Sequence, residues 1–316
     1  MPVSSPIAEL HAVVAERPLF PSDRLSLAAA GLTAAVGREL RVTTGSVTGG
    51  GEQIRAAWRF WPNRPRVDAG LHAPAPWGGI WNVDASWERQ AFTLPALPRA
   101  ERAGARIGAS DWITGRLRWT VSAGVDEWAG ETTRGSIGGG VRVLAMDDRI
   151  DARANVETWL GPAAFATVDA GMRARSSAAL RGPLFAGAVS VQIASDRTPL
   201  DLWWAGDTGH ARSTLMRAHP VLDRGRLRVD RLGRTLIHGS LEAQRWWPVA
   251  GPVRAAAAAF GDVGRTGGLH DGTAFGDADV GIGARLALAG IPGVFRVDLA
   301  KGLRDGATAL SVAYDP

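Results

Sequence analysis

Apolar and polar residues alternate with a period of two along most of this chain. The segment 116–126 shows the pattern most clearly, because every second residue in it is apolar: Leu117, Trp119, Val121, Ala123 and Val125. Arg118, Thr120 and Asp126 are among the residues between them. Successive side chains of a strand point to opposite faces. The segment therefore predicts a β-strand with an apolar environment on one side and a polar one on the other.

The alternation recurs in about sixteen segments, and their size suits a membrane barrel. About 20 residues for each strand and its connection, with short turns rich in Gly, Pro, Asn and Asp, are typical of outer-membrane barrels. An arginine facing lipid at mid-bilayer would cost about 2–4 kcal/mol, so we place the polar faces in the lumen. The candidate strands are 24–32, 36–44, 53–60, 65–72, 80–92, 102–111, 116–128, 133–146, 149–159, 164–175, 182–194, 236–247, 252–262, 278–288, 293–301 and 307–314.

These strands predict an all-β fold, a transmembrane antiparallel up-and-down β-barrel of about 16 strands. No stretch has the eighteen or more apolar residues, with few or no charges, of a membrane helix. A barrel exposes its apolar residues only at every second position, so it escapes that criterion. The alternative is a soluble β-sandwich or propeller, which would stay in solution without detergent.

One predicted connection, about 195–235, is far longer than the others and contains large apolar residues such as Trp203 and Trp204. A long loop inside a regular meander is usually functional or disordered. Its apolar content argues against a solvated tail, so we predict that it folds back into the barrel lumen as a plug. A second connection, at 265–277, is Gly-rich and polar and is expected to be exposed.

Tryptophan dominates the aromatic residues, with thirteen Trp against eight Phe and one Tyr. An indole ring suits a membrane–water interface, because the ring is apolar and its N–H can stay hydrated. The alternative is that these residues are ordinary core aromatics. We predict that those near the strand ends form interfacial girdles: Trp58, Trp61, Trp77, Trp112, Trp128, Trp159, Trp246 and Trp247.

The charge pattern argues against nucleic acid as a partner. The chain has 316 residues and a formal net charge of +5, carried almost wholly by arginine, since Lys301 is the only lysine. The arginines are spread over alternate strand positions near Asp or Glu. Nucleic-acid-binding proteins instead gather basic residues on one helix or face.

The residues that usually carry chemistry are absent or scattered. There are no cysteines, which excludes disulfides and thiolate metal sites. The six histidines include no His-x-x-His spacing, so we expect no metal site and no cofactor. Ser213 and His219 both occur in the long loop, without the pattern of a catalytic triad. We therefore expect a protein that is not an enzyme.

Motifs in the C-terminal third carry a family resemblance. They are MRAH at 216–219, GSLE at 239–242, FGDVG at 260–264 and FRVDLAKGLRDG at 295–306. With them the chain resembles the bacterial surface-antigen barrels of the outer-membrane protein assembly and translocation superfamily. That family carries a hydrophobic-Arg-Gly-aromatic motif near the tip of its longest loop, from which this chain departs at Ala218 and His219. The rest of the chain shares only the architecture.

The resemblance implies a sixteen-stranded barrel in the bacterial outer membrane, with the long loop inside the lumen. It implies insertion or translocation of proteins, with outer-membrane lipid, client outer-membrane or secreted proteins, and periplasmic chaperones as partners. We expect a short N-terminal segment at 1–23 and the barrel at 24–316, without the periplasmic domains that deliver clients. The N-terminus lacks signal-peptide features, so we expect a mature or truncated portion of a longer protein. The alternative function is a passive pore or structural barrel without clients.

The resemblance and the chemistry together single out one loop residue. A loop arginine that enters a narrow lumen loses water and needs carboxylate partners. We hypothesise that Arg217 locks the loop against Asp262 and Glu242, with Phe260 flanking the guanidinium. Arg212, in the same loop, is the competing candidate. The other interpretation is that these are lumen charges that simply neutralise one another.

Two smaller features complete the predicted site residues. Gly264 ends the FGDVG motif next to the proposed lock. Leu310, Val312 and Tyr314 form an outward row on the last strand, which resembles the C-terminal assembly signal of outer-membrane barrels. The usual terminal aromatic is replaced by Asp315 and Pro316, so Tyr314 is expected to take its place.

Overall fold

Strands make up most of the computed structural model, which describes residues 37–45, 48–130, 133–288 and 293–315 together with 31, 34 and 35. The strands of the main sheet are β1 (Glu39–Gly45), β2 (Gln53–Trp61), β3 (Arg64–Pro74), β4 (Ile80–Gln90), β5 (Ala100–Thr114), β6 (Leu117–Trp128), β7 (Arg134–Ala145), β8 (Ile150–Trp159), β9 (Phe165–Arg175), β10 (Gly182–Ala194), β15 (Gly233–Ala250), β16 (Val253–Leu269), β17 (Ala274–Leu288), β18 (Val294–Gly302) and β19 (Thr308–Asp315). Four short strands, β11 (Gly206–Asp207), β12 (Thr214–Leu215), β13 (Leu222–Asp223) and β14 (Arg226–Leu227), lie between β10 and β15.

The fifteen strands form one antiparallel meander. Each pairs with the next in chain order, and β10 pairs directly with β15 across the long connection. Fifteen of the sixteen candidate strands correspond to these elements. The remaining candidate, 24–32, lies outside the described residues apart from residue 31, and so does the segment 1–23. None of the helices among the described residues is long and apolar enough to cross a membrane.

The two faces of the sheet differ in burial and chemistry. On β16, Phe260, Asp262 and Gly264 are buried, whereas Val263, which lies between the last two, is exposed. On β15, Leu241 keeps 73% of its surface exposed. We call the face that carries the buried residues the inner face. The outer face presents isolated rows of Val, Ile and Leu, as a transmembrane barrel presents to lipid.

The connection at 195–232 folds over the inner face. It contains two short 3₁₀ turns, Leu200–Leu202 and Val229–Arg231, besides the four short strands. Its own apolar residues Val221, Leu227 and Leu232 are fully buried, in a cluster that also includes Phe92 after β4. The connection is therefore a packed structure with its own small core, which keeps it folded against the inner face rather than extended in solvent.

The second connection is much shorter than predicted, because β16 runs to Leu269 and β17 begins at Ala274. The exposed connection predicted at 265–277 is confined to the exposed turn at 270–273, and the prediction is wrong for its two ends, since Thr266 and Asp277 are buried. Gly267, Gly268 and Gly276 of this segment belong to the strands, and Gly272 lies in the turn between them. At Gly264 an added Cβ would lie 2.9 Å from the Met216 sulfur, so the small residue makes room for the loop.

Three of the tryptophans predicted for the girdles lie on the inner face instead: Trp128, Trp159 and Trp246. A buried indole N–H needs an acceptor, and the inner face supplies it. Trp159 donates to Asp126 at 2.7 Å, and Trp246 donates to Gln244 at 2.6 Å. Because side chains alternate along each strand, these tryptophans point to the same face as the inward polar residues. The remaining five are exposed or partly buried: Trp58, Trp61, Trp77, Trp112 and Trp247.

Candidate functional site

The tip of the long connection carries Arg217, whose side chain is 2% exposed. Its Nη1 donates to Oε2 of Glu242 at 2.6 Å, and its Nε lies 3.2 Å from Oδ2 of Asp262. The guanidinium carbon lies 3.8 Å from the ring centroid of Phe260, a cation–π contact. Alternation places Glu242 on the inner face of β15, and it places Asp262 and Phe260 on the inner face of β16. The structure thus brings these four residues together.

Both carboxylates have further donors that hold them in place. Asp262 accepts a hydrogen bond from the Ser240 hydroxyl at 2.7 Å. Glu242 accepts from Nε of Arg285 at 2.8 Å and from the Gln244 amide at 2.6 Å. A buried carboxylate that kept its charge without such donors would be costly. The inner faces of β15 and β16 are therefore organised to receive a cation from the loop.

The network continues onto β18 through Asp298, which is fully buried. Its two oxygens accept from Nη1 of Arg285 at 2.6 Å and from Nη1 of Arg296 at 2.5 Å. Arg296 also donates to the carbonyl of Thr208 in the loop at 2.8 Å. Three guanidinium groups thus face three carboxylates, which balances the buried charge. We call the residues Arg217, Glu242, Asp262, Arg285, Arg296 and Asp298 the loop anchor.

Small residues shape the floor of the loop anchor. An added Cβ on Gly281 of β17 would collide with the ring of Phe260, which pairs with it across the strands, and with the carbonyl of Leu299. Gly264 lies against Met216, the residue before Arg217. Both glycines leave the space that the loop tip and its aromatic partner occupy.

The next residues of the tip contact a second group of acids. Asp279 accepts the backbone N–H of Ala218 at 2.6 Å and lies 2.8 Å from Nδ1 of His219. Nε2 of His219 lies 3.3 Å from Asp277 and 3.1 Å from Asp305. Burial lowers the pKa of His219, but the hydrogen bonding and charge of Asp279 and then Asp305 outweigh it, and the pKa lies above its ordinary value.

The competing candidate Arg212 lies elsewhere. Its Nη2 donates to the carbonyl of Asp201 at 3.2 Å, and neither residue contacts the loop anchor. Arg212 lines a cavity of about 420 Å³ between the loop and strands β2 to β9. Burial raises the pKa of Asp201 above its ordinary value. We call this region the arginine cavity, and its charged lining is Arg59, Arg64, Arg66, Arg102, Arg106, Arg212, Glu88, Glu157, Asp169 and Asp201.

Sequence reasoning did not single out several members of the site. Arg296 and Asp298 lie in the FRVDLAKGLRDG segment and share the inner face by alternation, which was an available signal. Arg285 shares the inner face of β17, but nothing in the sequence connects it to Glu242. Asp279 lies within the residues expected to form a strand, and its contact with the loop backbone leaves no trace in the sequence.

The last strand presents its predicted row outward. Leu310 is 70% exposed and Val312 and Tyr314 are partly exposed, whereas Ser311 and Ala313 between them are buried. Tyr314 contacts the ring of its cross-strand neighbour Phe295, with centroids 4.8 Å apart. The role of this row as an assembly signal stays a prediction. Pro316 lies outside the described residues.

Comparison with known proteins gives no match to a family model and none to a curated protein. Two solved structures are similar to this chain in fold. The crystal structure of BamA from Haemophilus ducreyi lacking POTRA domains 1–3 has a TM-score of 0.61 at 11% identity, covering 87% of this chain and 67% of that one. CdiB from Escherichia coli has a TM-score of 0.59 at 10% identity, covering 87% of this chain and 58% of that one.

These similarities confirm the fold that the resemblance implied. The chain spans 58% of the length of CdiB. At such low identities the similarities show the fold alone. The inner face of the meander is the lumen, and the connection at 195–232 is a loop that enters it. The chain is a transmembrane antiparallel up-and-down β-barrel with the fold of the BamA and CdiB barrels.

Proposed function

We propose that this barrel inserts or translocates client proteins at the bacterial outer membrane, without catalytic chemistry. The clients are outer-membrane or secreted proteins, delivered by periplasmic chaperones. The observation that carries the proposal is the buried contact of Arg217 with Glu242 and Asp262, made by the tip of a loop that enters a barrel of the BamA and CdiB fold. A passive barrel has no need of so specific an attachment.

Arg217 is the lock of this loop in the proposal. Removing one partner from a buried ion pair leaves an uncompensated charge and costs about 3–5 kcal/mol. Glu242 and Asp262 would both lose a cation from a region with little water. The loop is thereby attached to the inner faces of β15 to β18. This attachment supports the barrel next to its last strand.

The seam between the first and last strands is the proposed site of client engagement, and β1 and β19 are the outermost strands among the described residues. Within the described residues, pairing runs from β1 through to β19, and none joins these two strands to each other. They are also short, at 7 and 8 residues. An exposed strand edge is a template for pairing with another chain. A client strand would add to this edge before it leaves into the membrane.

The test is client folding in lipid vesicles that contain the full chain. A small unfolded outer-membrane barrel is added, and its folding rate is measured by the mobility of unheated samples in gels. We expect faster client folding with the wild-type chain than with empty vesicles, and loss of that acceleration in Arg217→Ala. Arg118→Ala is the matched control, since Arg118 faces the lumen and contacts Ser110 of the neighbouring strand. No acceleration by the wild-type chain would refute the proposal.

The arginine cavity favours a second candidate, a passive pore. It opens a charged space of about 420 Å³ beside the loop. Conductance of planar bilayers separates the two functions. A pore predicts stable wild-type conductance and no effect on client folding. The proposed function predicts a low wild-type conductance that rises when residues 196–231 are replaced by a short Gly-Ser linker.

A further inference from the structure

His219 lies where the loop tip meets the beginning of β17 and the turn between β18 and β19. Three carboxylates surround its ring: Asp277, Asp279 and Asp305. The side chains of His219 and Asp277 are 2% exposed, whereas that of Asp305 is 40% exposed. The group is therefore mostly buried but open to solvent on one side, through which a small ion can enter.

Asp279 sets the orientation of the imidazole. One of its oxygens accepts the Ala218 N–H at 2.6 Å, and the other lies 2.8 Å from Nδ1 of His219. A carboxylate at that distance favours the tautomer that carries its proton on Nδ1. In that tautomer the lone pair of Nε2 points at Asp277 and Asp305, and Nε2 lies 3.1 Å from Oδ2 of Asp305. Carboxylate–histidine–metal arrangements use this same relay to fix the metal-binding nitrogen.

In both Asp277 and Asp305, one carboxylate oxygen accepts backbone N–H groups and the other faces His219. Oδ1 of Asp277 accepts the backbone N–H groups of Ala278 at 2.7 Å and Arg304 at 3.3 Å. Oδ1 of Asp305 accepts the backbone N–H of Ala307 at 2.9 Å. The Oδ2 atoms, held by these contacts, lie 3.3 and 3.1 Å from Nε2. A neutral imidazole lone pair facing two carboxylate oxygens is repulsive unless a cation lies between them.

We propose that Nε2 of His219 and the Oδ2 atoms of Asp277 and Asp305 bind a divalent transition-metal cation of the zinc class. One ligand atom from each residue lies within 4.8 Å of the other two. Bonds of about 2.0–2.1 Å at right or tetrahedral angles separate ligand atoms by about 2.8–3.4 Å. Both measured distances to Nε2 fall in that interval. One nitrogen and two carboxylate oxygens leave a position for water.

Gly302 provides the room that the ring needs. An added Cβ there would lie 2.9 Å from Cε1 and 3.1 Å from Nε2 of His219. The bound cation would join the loop tip to β17 and to the turn after β18, two residues beyond Arg217. This inference rests on the ligand geometry and stands whether or not the barrel handles client proteins.

A protonated imidazole is the competing state. Arg231 also approaches Asp305, with Nη2 3.8 Å from Oδ2, and its guanidinium lies over Phe275 at 3.6 Å. These cations could neutralise the acids without a metal. The competing state predicts no metal binding at this group.

The test uses the full chain in detergent, without a polyhistidine tag, after treatment with EDTA and dialysis. Calorimetric titration with Zn²⁺ is expected to show one equivalent bound per chain. Asp277→Asn and Asp305→Asn are expected to weaken binding at least tenfold, and Asp279→Asn by about 10–100-fold through the imidazole orientation. Asp271→Asn is the matched control, because that exposed carboxylate lies beside His270 on the neighbouring turn.

Gel mobility of unheated samples establishes that each variant is folded. Should Asp277→Asn fail to fold, the half-exposed Asp305 still provides the test. Absence of Zn²⁺ binding by the wild-type chain overturns the proposal. So does binding of equal strength in the wild-type chain, Asp277→Asn and Asp305→Asn, which would place the ion elsewhere.

Discussion

The loop anchor and the arginine cavity are built from the same residue types on the same inner face, yet they differ in burial. In the loop anchor the side chains of Asp262 and Asp298 are fully buried. In the arginine cavity, Arg102 is 20% and Arg106 is 35% exposed. The loop tip fills the first region, while the second retains an open volume of about 420 Å³.

The difference shows that an inward arginine–carboxylate row does not by itself make a tight contact. The loop touches both regions, through Arg217 at the anchor and through Asp201 near the cavity, where Arg102 lies 3.7 Å away. The Arg102 side chain is 20% exposed, so water screens the second contact from the arginine side, whereas the Arg217 side chain is only 2% exposed. Electrostatic interactions grow as the effective dielectric falls, so the anchor should dominate the stability of the loop.

The largest expected effect is therefore that of Arg217→Ala. It leaves two buried carboxylates without their loop cation and should lower the free energy of unfolding by about 3–5 kcal/mol. Arg102→Ala should lower it less, because the Arg102 side chain is 20% exposed and Glu88 keeps Arg59 as a second cation at 3.6 Å. Urea titrations in lipid vesicles measure both. Equal losses in the two variants would show that the regions do not differ in the way their burial indicates.

A medium effect is expected where glycine makes room for the anchor. Gly281→Ala should lower the free energy of unfolding by about 1–3 kcal/mol, because a new methyl group must displace Phe260 or the strand itself. Gly139→Ala is the matched control beside the arginine cavity, since the nearest atom to its added Cβ is 3.9 Å away. The same urea titrations apply. A harmless Gly281→Ala would mean that the anchor is looser than its contacts suggest.

The alternation located fifteen strands to within a few residues because lipid outside and polar groups inside impose the same period on every strand. It failed between β16 and β17. There the strands continue through Gly264 and Gly267, although the glycine-rich sequence predicts a loop. Which glycines serve a turn and which make room for a distant side chain such as Met216 depends on contacts across the lumen. Local sequence does not contain them.

The sequence predicts only part of the site, for a related reason. Alternation and the family motifs placed Arg217, Asp262 and Glu242 on facing surfaces. The choice of partners depends on strand register, however, and several charges share the inner face, so Arg285 and Asp298 were not singled out. His219 was treated as isolated because Asp305 is 86 residues away along the chain. Metal-ligand spacing is informative only when the ligands lie on one element.

The smallest expected effect is at the contact between the arginine cavity and the loop. Trp128 donates to both oxygens of Asp201 at 3.3 Å, and its ring meets Phe165 edge-on at 5.8 Å. Trp128→Phe keeps most of the packing and removes the hydrogen bond, so it should lower the free energy of unfolding by about 0.5–1.5 kcal/mol. Trp58→Phe, on the exposed outer face, controls for the loss of ring area. Because only one hydrogen-bonding group is removed, a loss as large as that of Arg217→Ala would mean that the loop is held as strongly at this contact as at the anchor.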